Sequence, residues 1–489
     1  MTDTPSTPFD LLVVGGGING AGIARDAAGR GLSVLLVERD DLAAHTSSAS
    51  TKLIHGGLRY LEFGEFRLVR EALVERERLW RMAPHIIWPL RFVLPQTHSP
   101  RPAWLVRLGL FLYDHLGGRE RLPGTETVAL DRSPFGDGLS DRRGRGFVYS
   151  DCWVEDSRLV VLNARDAADR GADVRTRTAM IDARRDGNLW HATIEDEAGR
   201  HSVRARALVN AAGPWVDDVV ARTGVSGDDH RVRLVKGSHV VVPRFYDGDH
   251  ALMLQNPDRR IVFAIPYEGR FTLVGTTDEP WTEAPARVGI SDDETNYLLD
   301  TIARYFDRRP TRTDVVWSFA GIRPLHDDRA ANASAVTRDY VLDLRAGEGE
   351  APLLNVFGGK ITTYRKLADH ALAQLSRFFP DAGRAWTAGA TLPGGNFDDF
   401  DRLVERLRSD HPDVPAQLVR RLARAYGTRA RAILSQPLDN AFGAGLSRAE
   451  VHHLVAHEWA RTAEDVLYRR SKLGLHGADA AALDRYLAG

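Results

Sequence analysis

The clearest pattern along the chain is a change of hydrophobic period near its start. "DLLVV" is a short continuous apolar run, and Gly15, Gly17 and Gly20 follow it in GxGxxG spacing. Small residues at helical spacing then lead to Gly31, and a second apolar run, "SVLLVE", ends at Glu38. This predicts a buried strand, a helix capped near Gly31 and a second parallel strand. From about Phe63 the period is helical through "RLVREALVERERLWRMAP" and stops before Pro84. Residues 101–116, "RPAWLVRLGLFLYDHL", predict an apolar helix that carries Trp104, Phe111 and Tyr113 and is flanked by Arg101 and Arg107. As a core helix it packs in a substrate domain; as an interfacial helix it lies in a bilayer surface. An amphipathic helix is predicted over 159–174, closed near Gly171. "RARALVNAAGPWVDDVV" reads as strand, small-residue turn and helix. Residues 231–280 alternate apolar and polar positions between turn residues, which predicts antiparallel strands. "SDDETNYLLDTIARYF" is a helix with an acidic start, and 351–379 read as a strand, a Gly-Gly turn and a long helix. After Pro380 three helical patterns follow, so 386–489 are expected to form a separate helical domain.

Composition narrows the class. At 489 residues, two or three domains are expected, and 43% apolar content suffices for sizeable cores. A formal net charge of -1 argues against a general nucleic-acid binder. One cysteine, Cys152, excludes disulfide frameworks, a CxxC redox pair and cysteine zinc clusters, and no metal is expected. "MTDTPSTPFD" has neither a basic nor an apolar leader region, and no uncharged apolar run reaches the roughly 18 residues of a membrane span. The expectation is a cytoplasmic or peripheral protein. Of 65 basic residues only five are lysine: Lys52, Lys236, Lys360, Lys366 and Lys472. In so arginine-rich a chain, retained lysines are expected where a compact ammonium is needed, and four fall in distinctive motif blocks.

The GxGxxG sits between two strands with a carboxylate at the end of the second. Glycines allow close approach to a pyrophosphate at a helix N-terminus, and Glu38 suits a ribose hydroxyl pair. The unit predicts dinucleotide binding. No second such unit is present, so electrons for a bound FAD are expected from a small substrate rather than from NAD(P)H. "STKLIHGGLRYLE" places Lys52, His55 and Arg59 about Gly56-Gly57: either they form a solvated face or they converge on something anionic.

The blocks "VVGGGINGAGIARDAAGRGLSVLLVE", "TSSASTKLIHGGLRYLE", "YSDCWVED", "NAAGPWV", "KGSHVVVP", "GTTD", "GIRPL" and "FGGKITTYRKLADHA" together resemble the aerobic, FAD-dependent glycerol-3-phosphate dehydrogenases. The resemblance covers nearly the whole chain. Thr51 stands where serine is usual and keeps the hydroxyl. It implies an α/β glutathione-reductase-like FAD-binding Rossmann fold, discontinuous over 1–85, 150–230 and 315–385. It also implies an antiparallel-sheet substrate domain (86–149 and 231–314) and the helical domain 386–489. The implied reaction is oxidation of sn-glycerol 3-phosphate to dihydroxyacetone phosphate, with electrons passed to ubiquinone or menaquinone. The implied protein is a peripheral homodimer on the cytoplasmic side of the inner membrane.

Such a reaction needs cations for a phosphate dianion, a base for the hydroxyl proton and a C–H aimed at the flavin. Arg59 and Arg323 are the expected phosphate ligands, since a guanidinium fork matches phosphate oxygens. His55 and His239 are the candidate bases, with His55 preferred because it shares a loop with Arg59, and Arg323 is able to hold the alkoxide. Tyr60 is expected to orient substrate. Lys360, with Thr362 and Thr363, is expected at the flavin edge or on substrate. The cofactor is expected to meet Gly15, Gly17, Asn19, Gly20, Glu38 and Arg39 in the first unit. Ser47, Ser48, Ser50, Lys52, Gly56 and Gly57 are expected to follow, then Ala212, Gly213, Gly358 and Gly359. Two alternatives stand beside this: a glycerol-3-phosphate oxidase using O₂, and a non-enzymatic flavin- or NAD-binding redox sensor.

Overall fold

A computed structural model describes residues 7–225, 232–285, 287–326 and 339–489 of the chain. Residues 1–6 of the N-terminal stretch and the expected division at 230–231 lie outside the described residues.

The first sheet has Phe9–Val14 at its centre, parallel to Val34–Glu38 on one side and to Gly199–Asn210 on the other. Asp173–Thr176 extends it in parallel beyond Val34–Glu38, and Leu353–Phe357 beyond Gly199–Asn210. The apolar runs are continuous because both faces are covered. Leu11, Val13 and Leu36 pack against the helices Ile18–Gly29, Asp156–Asp169 and Tyr364–Leu375. Leu12, Val14, Leu35 and Val37 pack against the hairpin strands Ala179–Asp186 and Leu189–Asp196, around Trp190. The helix Ile18–Gly29 starts hard against the strand before it. A Cβ on Gly20 would lie 1.9 Å from the Gly15 carbonyl oxygen, and Gly15 itself holds φ +109°.

The second sheet runs in the order Glu279–Trp281, Val232–Pro243, Phe271–Gly275, Ile261–Tyr267, Ala251–Gln255, Ile87–Pro95, Arg145–Val154, Leu53–Ile54. Trp317–His326 pairs with Val232–Pro243 along its length, from Val232 opposite His326 to Val241 opposite Trp317. It is antiparallel except where Ala251–Gln255 meets Ile87–Pro95. The helix Asp292–Tyr305 covers one face, and Phe66–Met82 with Ala103–Leu116 cover the other. The Ser291 hydroxyl and the Glu294 carboxylate cap Asp292–Tyr305 reciprocally, as its acidic start predicted.

The division of segments differs from the expected one in two places. Arg145–Val154 pairs without a break with Ile87–Pro95, so this strand crosses residue 150 inside the second sheet. Trp317–His326 also belongs to that sheet, held by its pairing with Val232–Pro243 rather than by the dinucleotide fold. The C-terminal unit has its own core, built from Leu403, Leu407, Val419, Leu422, Val451 and Leu454 among others. Its helices include Phe400–Asp410, Ala416–Tyr426 and Arg448–Glu458. The pattern at 463–475 forms a short π-helical turn, Asp465–Arg470, rather than an α-helix.

Gly20→Ala is expected to lower folding stability by about 3 kcal/mol, since backbone rather than a flexible side chain must move. A urea unfolding midpoint equal to that of the unaltered protein would contradict this reading of the helix start.

Candidate active site

Two adjoining cavities lie where the sheets meet. The first, about 150 Å³, is a groove along the C-terminal ends of the parallel strands. Gly15, Gly17, Asn19, Glu38, Arg39, Ser47, Ala212, Gly213, Gly358 and Gly359 all line it. The helix N-terminus here has no carboxylate in its first turn and a glycine at its N-cap, so its positive end favours an anion. Ser47 Oγ accepts the Ile18 N–H at 3.0 Å. Glu38 accepts the N–H groups of Gly16 (2.6 Å) and Asp40 (2.8 Å), which leaves lone pairs for further donors. Burial raises its carboxyl pKa, and those two bonds oppose the shift. Arg39 stacks on Trp215, its guanidinium carbon 4.0 Å from the ring centroid, and His45 packs on the same ring at 4.6 Å.

The second cavity, about 300 Å³, shares Ser47, Gly358 and Gly359 with the groove. Ser50, His55, Gly57, Arg59, Tyr60, His239, Arg323, Lys360 and Thr362 line it. The expected histidines, arginines and Lys360 therefore converge on one space. Gly57 holds φ +75°, and a Cβ there would meet the Tyr60 ring at 2.2 Å. Tyr60 in turn lies under Lys360, whose Nζ is 3.9 Å from the ring centroid. The His55 N–H donates to Thr362 Oγ1 at 3.3 Å, tying the two Gly-Gly loops together. His239 is buried, bonded through Nε2 to Thr51 Oγ1 at 3.0 Å and stacked on Phe319 at 4.8 Å. Burial, and then the nearby charges of Lys52 and Arg323, push its pKa well below the usual histidine range. Arg323 donates to the Thr277 carbonyl at 2.9 Å and pairs with Asp278 at 3.2 Å, so its fork is shared with a carboxylate.

Several residues expected at the cofactor line neither cavity. Lys52 is fully buried; its Nζ pairs with Asp156 at 2.8 Å and donates to the Ser48 carbonyl at 2.9 Å, so it faces away from both cavities. Gly56 donates to Tyr113 Oη at 2.7 Å and packs under Leu73, so it supports the loop from behind. Ser48 bonds its hydroxyl to the His45 carbonyl, and Thr363 is the buried N-cap of Tyr364–Leu375. Gly20 acts through helix–strand packing, not by lining the groove. The lysine argument also narrows. Lys236 pairs with Glu294 and Lys366 with Asp369, Lys472 is buried, and Lys360 is the lysine that lines a cavity.

Sequence reasoning missed His45, Thr178, Met180, Asp218 and Arg222 in the groove, and Arg260, Thr276 and Asp278 in the second cavity. Trp215 and Asp278 stand inside or beside the motif blocks "NAAGPWV" and "GTTD", which is the signal that points to them.

The FAD dependent oxidoreductase family matches residues 10–365, and the C-terminal domain of alpha-glycerophosphate oxidase matches 385–485. Glycerol-3-phosphate dehydrogenase of Pseudomonas aeruginosa is 55% identical over 483 residues, covering 96% of this chain and 94% of that protein. D-erythritol 1-phosphate dehydrogenase of Brucella abortus is 53% identical over 480 residues, covering 96% and 95%. The glycerol-3-phosphate dehydrogenase of Bacillus halodurans, solved with FAD, superposes with a TM-score of 0.75 at 27% identity, covering 96% and 86%. The chain thus belongs to the FAD dependent oxidoreductases and, within them, to the glycerol-3-phosphate dehydrogenase family. Its cofactor is FAD. The groove fits that group: Asn19 Oδ1 is buried there with no partner among the described residues, beside a helix N-terminus with no carboxylate in its first turn and beside the Glu38 carboxylate.

Asp156→Ala is expected to cost about 3–5 kcal/mol by stranding Lys52 as a buried charge. Adding Lys52→Met should recover much of that stability by removing the stranded charge but not the placement of loop 47–52, so FAD affinity should stay reduced, read by thermal melting and flavin absorbance. A double variant that binds FAD as tightly as the unaltered protein would show that the groove does not depend on the pair.

Proposed function

We propose that the protein oxidises sn-glycerol 3-phosphate to dihydroxyacetone phosphate and passes the electrons to membrane quinone, ubiquinone or menaquinone. The observation that carries this is the convergence of His55, Arg59, His239, Arg323 and Lys360 on the cavity adjoining the dinucleotide groove. A phosphate dianion leaves water only for charge-assisted partners, and Arg59 with Arg323 offers two guanidinium forks. Arg323 must then turn from Asp278 towards the phosphate or share itself between them. When bound, FAD supplies a two-electron acceptor for the C2 hydrogen and its bonding pair.

His239 is our choice for the base that takes the C2 hydroxyl proton. Its ring is held by Thr51 and Phe319, and its lowered pKa keeps it unprotonated through neutral pH. That depression weakens it as a base, and the dianionic substrate offsets the positive field of Lys52 and Arg323 as it binds. His55 remains the rival. Lys360 and Tyr60 position the substrate or the flavin edge from the opposite loop. The Brucella relative named for D-erythritol 1-phosphate supports a second reading with a longer polyol phosphate.

The acceptor reading has support from the surface. The helix Ala103–Leu116 buries Val106, Leu110 and Tyr113 and exposes Trp104 (69%), Leu105, Leu108 and Phe111. Phe63 and Phe66 are exposed as well, at the end of the segment whose Leu58 and Tyr60 line the cavity. An apolar ridge of this kind suits a bilayer interface, where a quinone is met. No described helix is long and apolar enough to cross a membrane. Arg101 is bonded to Glu62 and Gln255, so Arg107 is the flanking cation left exposed on this helix for lipid headgroups. The helix Tyr364–Leu375, a second membrane candidate for its basic start and apolar face, buries Ala368, Ala371 and Leu372 in the core below the sheet, which argues against that role. The protein is in this reading peripheral, on the cytoplasmic side of the inner membrane.

Anaerobic titration of the yellow protein with polyol phosphates tests the substrate. Glycerol 3-phosphate should bleach the flavin, and bleaching by D-erythritol 1-phosphate alone would replace the substrate. Peroxide release with O₂, in place of quinone reduction, would make it an oxidase. His239→Ala should lower kcat by about 10²–10⁴-fold, the usual range for a general base. An intact His239→Ala enzyme with a crippled His55→Ala would reverse the assignment. Corrected for the second ionisation of the phosphate, the acid limb of kcat/KM should fall below pH ~6.5, with that of kcat at higher pH. Trp104→Asp with Phe111→Asp should abolish liposome binding and leave anaerobic bleaching unchanged; retained binding would move the membrane surface elsewhere.

A further inference from the structure

We propose that Tyr468 of the C-terminal unit is a positioning residue for the oxidation, acting on His239 through a stack of aromatic rings. The inference rests on the assignment of His239 as the base. His239 lies directly opposite Phe319 in the pairing of Val232–Pro243 with Trp317–His326. Their rings stack at 4.8 Å with an interplanar angle of 17°. Trp317, two positions back on the same face of its strand, packs on Phe319 at 5.0 Å. Tyr468 closes the row, its ring 5.3 Å from Trp317. Phe319 also receives the Lys52 ammonium at 4.9 Å from its centroid, so it is held from two sides.

A stack positions its last member only if its first is fixed, and the turn carrying Tyr468 is fixed on both sides. Arg469 Nε donates to Asp41 at 2.7 Å, and Arg470 donates to the same carboxylate at 2.8 and 2.7 Å. Asp41 stands in the loop whose Arg39, Ala43 and His45 line the FAD groove. Asp465 pairs with Arg177 at 2.6 Å, just before groove residue Thr178. Lys472 closes the turn on the Tyr468 carbonyl and on Ser157 Oγ, next to the Asp156 that pairs with Lys52. One short turn is thereby anchored behind the FAD groove while its tyrosine reaches towards the substrate cavity. The family's C-terminal unit then contributes to chemistry without lining either cavity.

The test uses full-length holoenzyme carrying Tyr468→Leu or Tyr468→Phe. The leucine variant should lose about 10- to 100-fold in kcat, the scale of a misplaced catalytic group, with KM and bound FAD unchanged. The phenylalanine variant keeps the ring and should restore kcat. Wild-type turnover in the leucine variant overturns the inference. So does parallel loss of FAD, KM and melting temperature, which marks a merely structural role, and so does a phenylalanine variant as slow as leucine. A wild-type flavin that no polyol phosphate bleaches sinks the proposed reaction itself, whereas the failures above arise with the wild type bleaching normally.

Discussion

The carboxylate of Asp156 holds the place on which the two sheets and both cavities depend. It stands at the first residue of the helix Asp156–Asp169, where the strand Arg145–Val154 has just left the second sheet. Its oxygens accept from Lys52 Nζ (2.8 Å), the Ser50 hydroxyl (2.8 Å) and the Ser157 N–H (2.8 Å). A fully buried ion pair is costly to form, and it persists where every remaining lone pair and proton is satisfied. Here satisfaction requires the loop 47–52 to turn back on itself, with Lys52 at φ +60°. That loop then presents Ser47 to the helix N-terminus and Thr51 to His239. The dinucleotide groove and the second cavity are thus registered to each other by one buried charge pair.

The C-terminal unit extends the same logic to two further buried carboxylates. Asp41 takes two guanidiniums, and Glu458 takes Arg158, all of them nearly inaccessible to solvent. Removing either acid would leave cations with no route to water, so specific, non-interchangeable pairs as well as apolar contacts bind the unit to the rest of the fold. This explains why a unit that lines neither cavity can still act on them.

Local features were legible in the sequence, and the direction of loop side chains was not. The βαβ unit was read correctly because period, glycine spacing and the terminal carboxylate all lie within thirty-odd residues and mean the same thing in any context. His55, Arg59, His239, Arg323 and Lys360 were grouped by motif, and the cavity they share depends on strand pairings that no local pattern encodes. Lys52 and Gly56 were misplaced because both sit in the expected loop but face its back, and only the partners Asp156 and Tyr113, over fifty residues away, decide that. Arg101 failed for the same reason: Glu62 claims it from another segment. His45 and Asp218 went unread because neither carries a motif of its own.

The pairing of Arg323 with Asp278 fits an anion site better than a bare guanidinium would. An unpaired arginine at the mouth of a cavity is well hydrated and mobile, and a substrate pays for both on binding. A carboxylate partner at 3.2 Å and a carbonyl at 2.9 Å hold the fork in place beforehand and lower the cost of its desolvation. Under the proposed assignment they also raise a threshold: a ligand without a phosphate dianion gains too little to draw the fork from Asp278, whereas a phosphate dianion that also meets Arg59 gains enough. On that assignment, specificity for a phosphorylated alcohol over the free polyol arises from competition inside the site. If His239 is the base, an anion held by Arg59 and Arg323 offsets the positive field that lowers its pKa, so the proposed base becomes stronger as substrate binds.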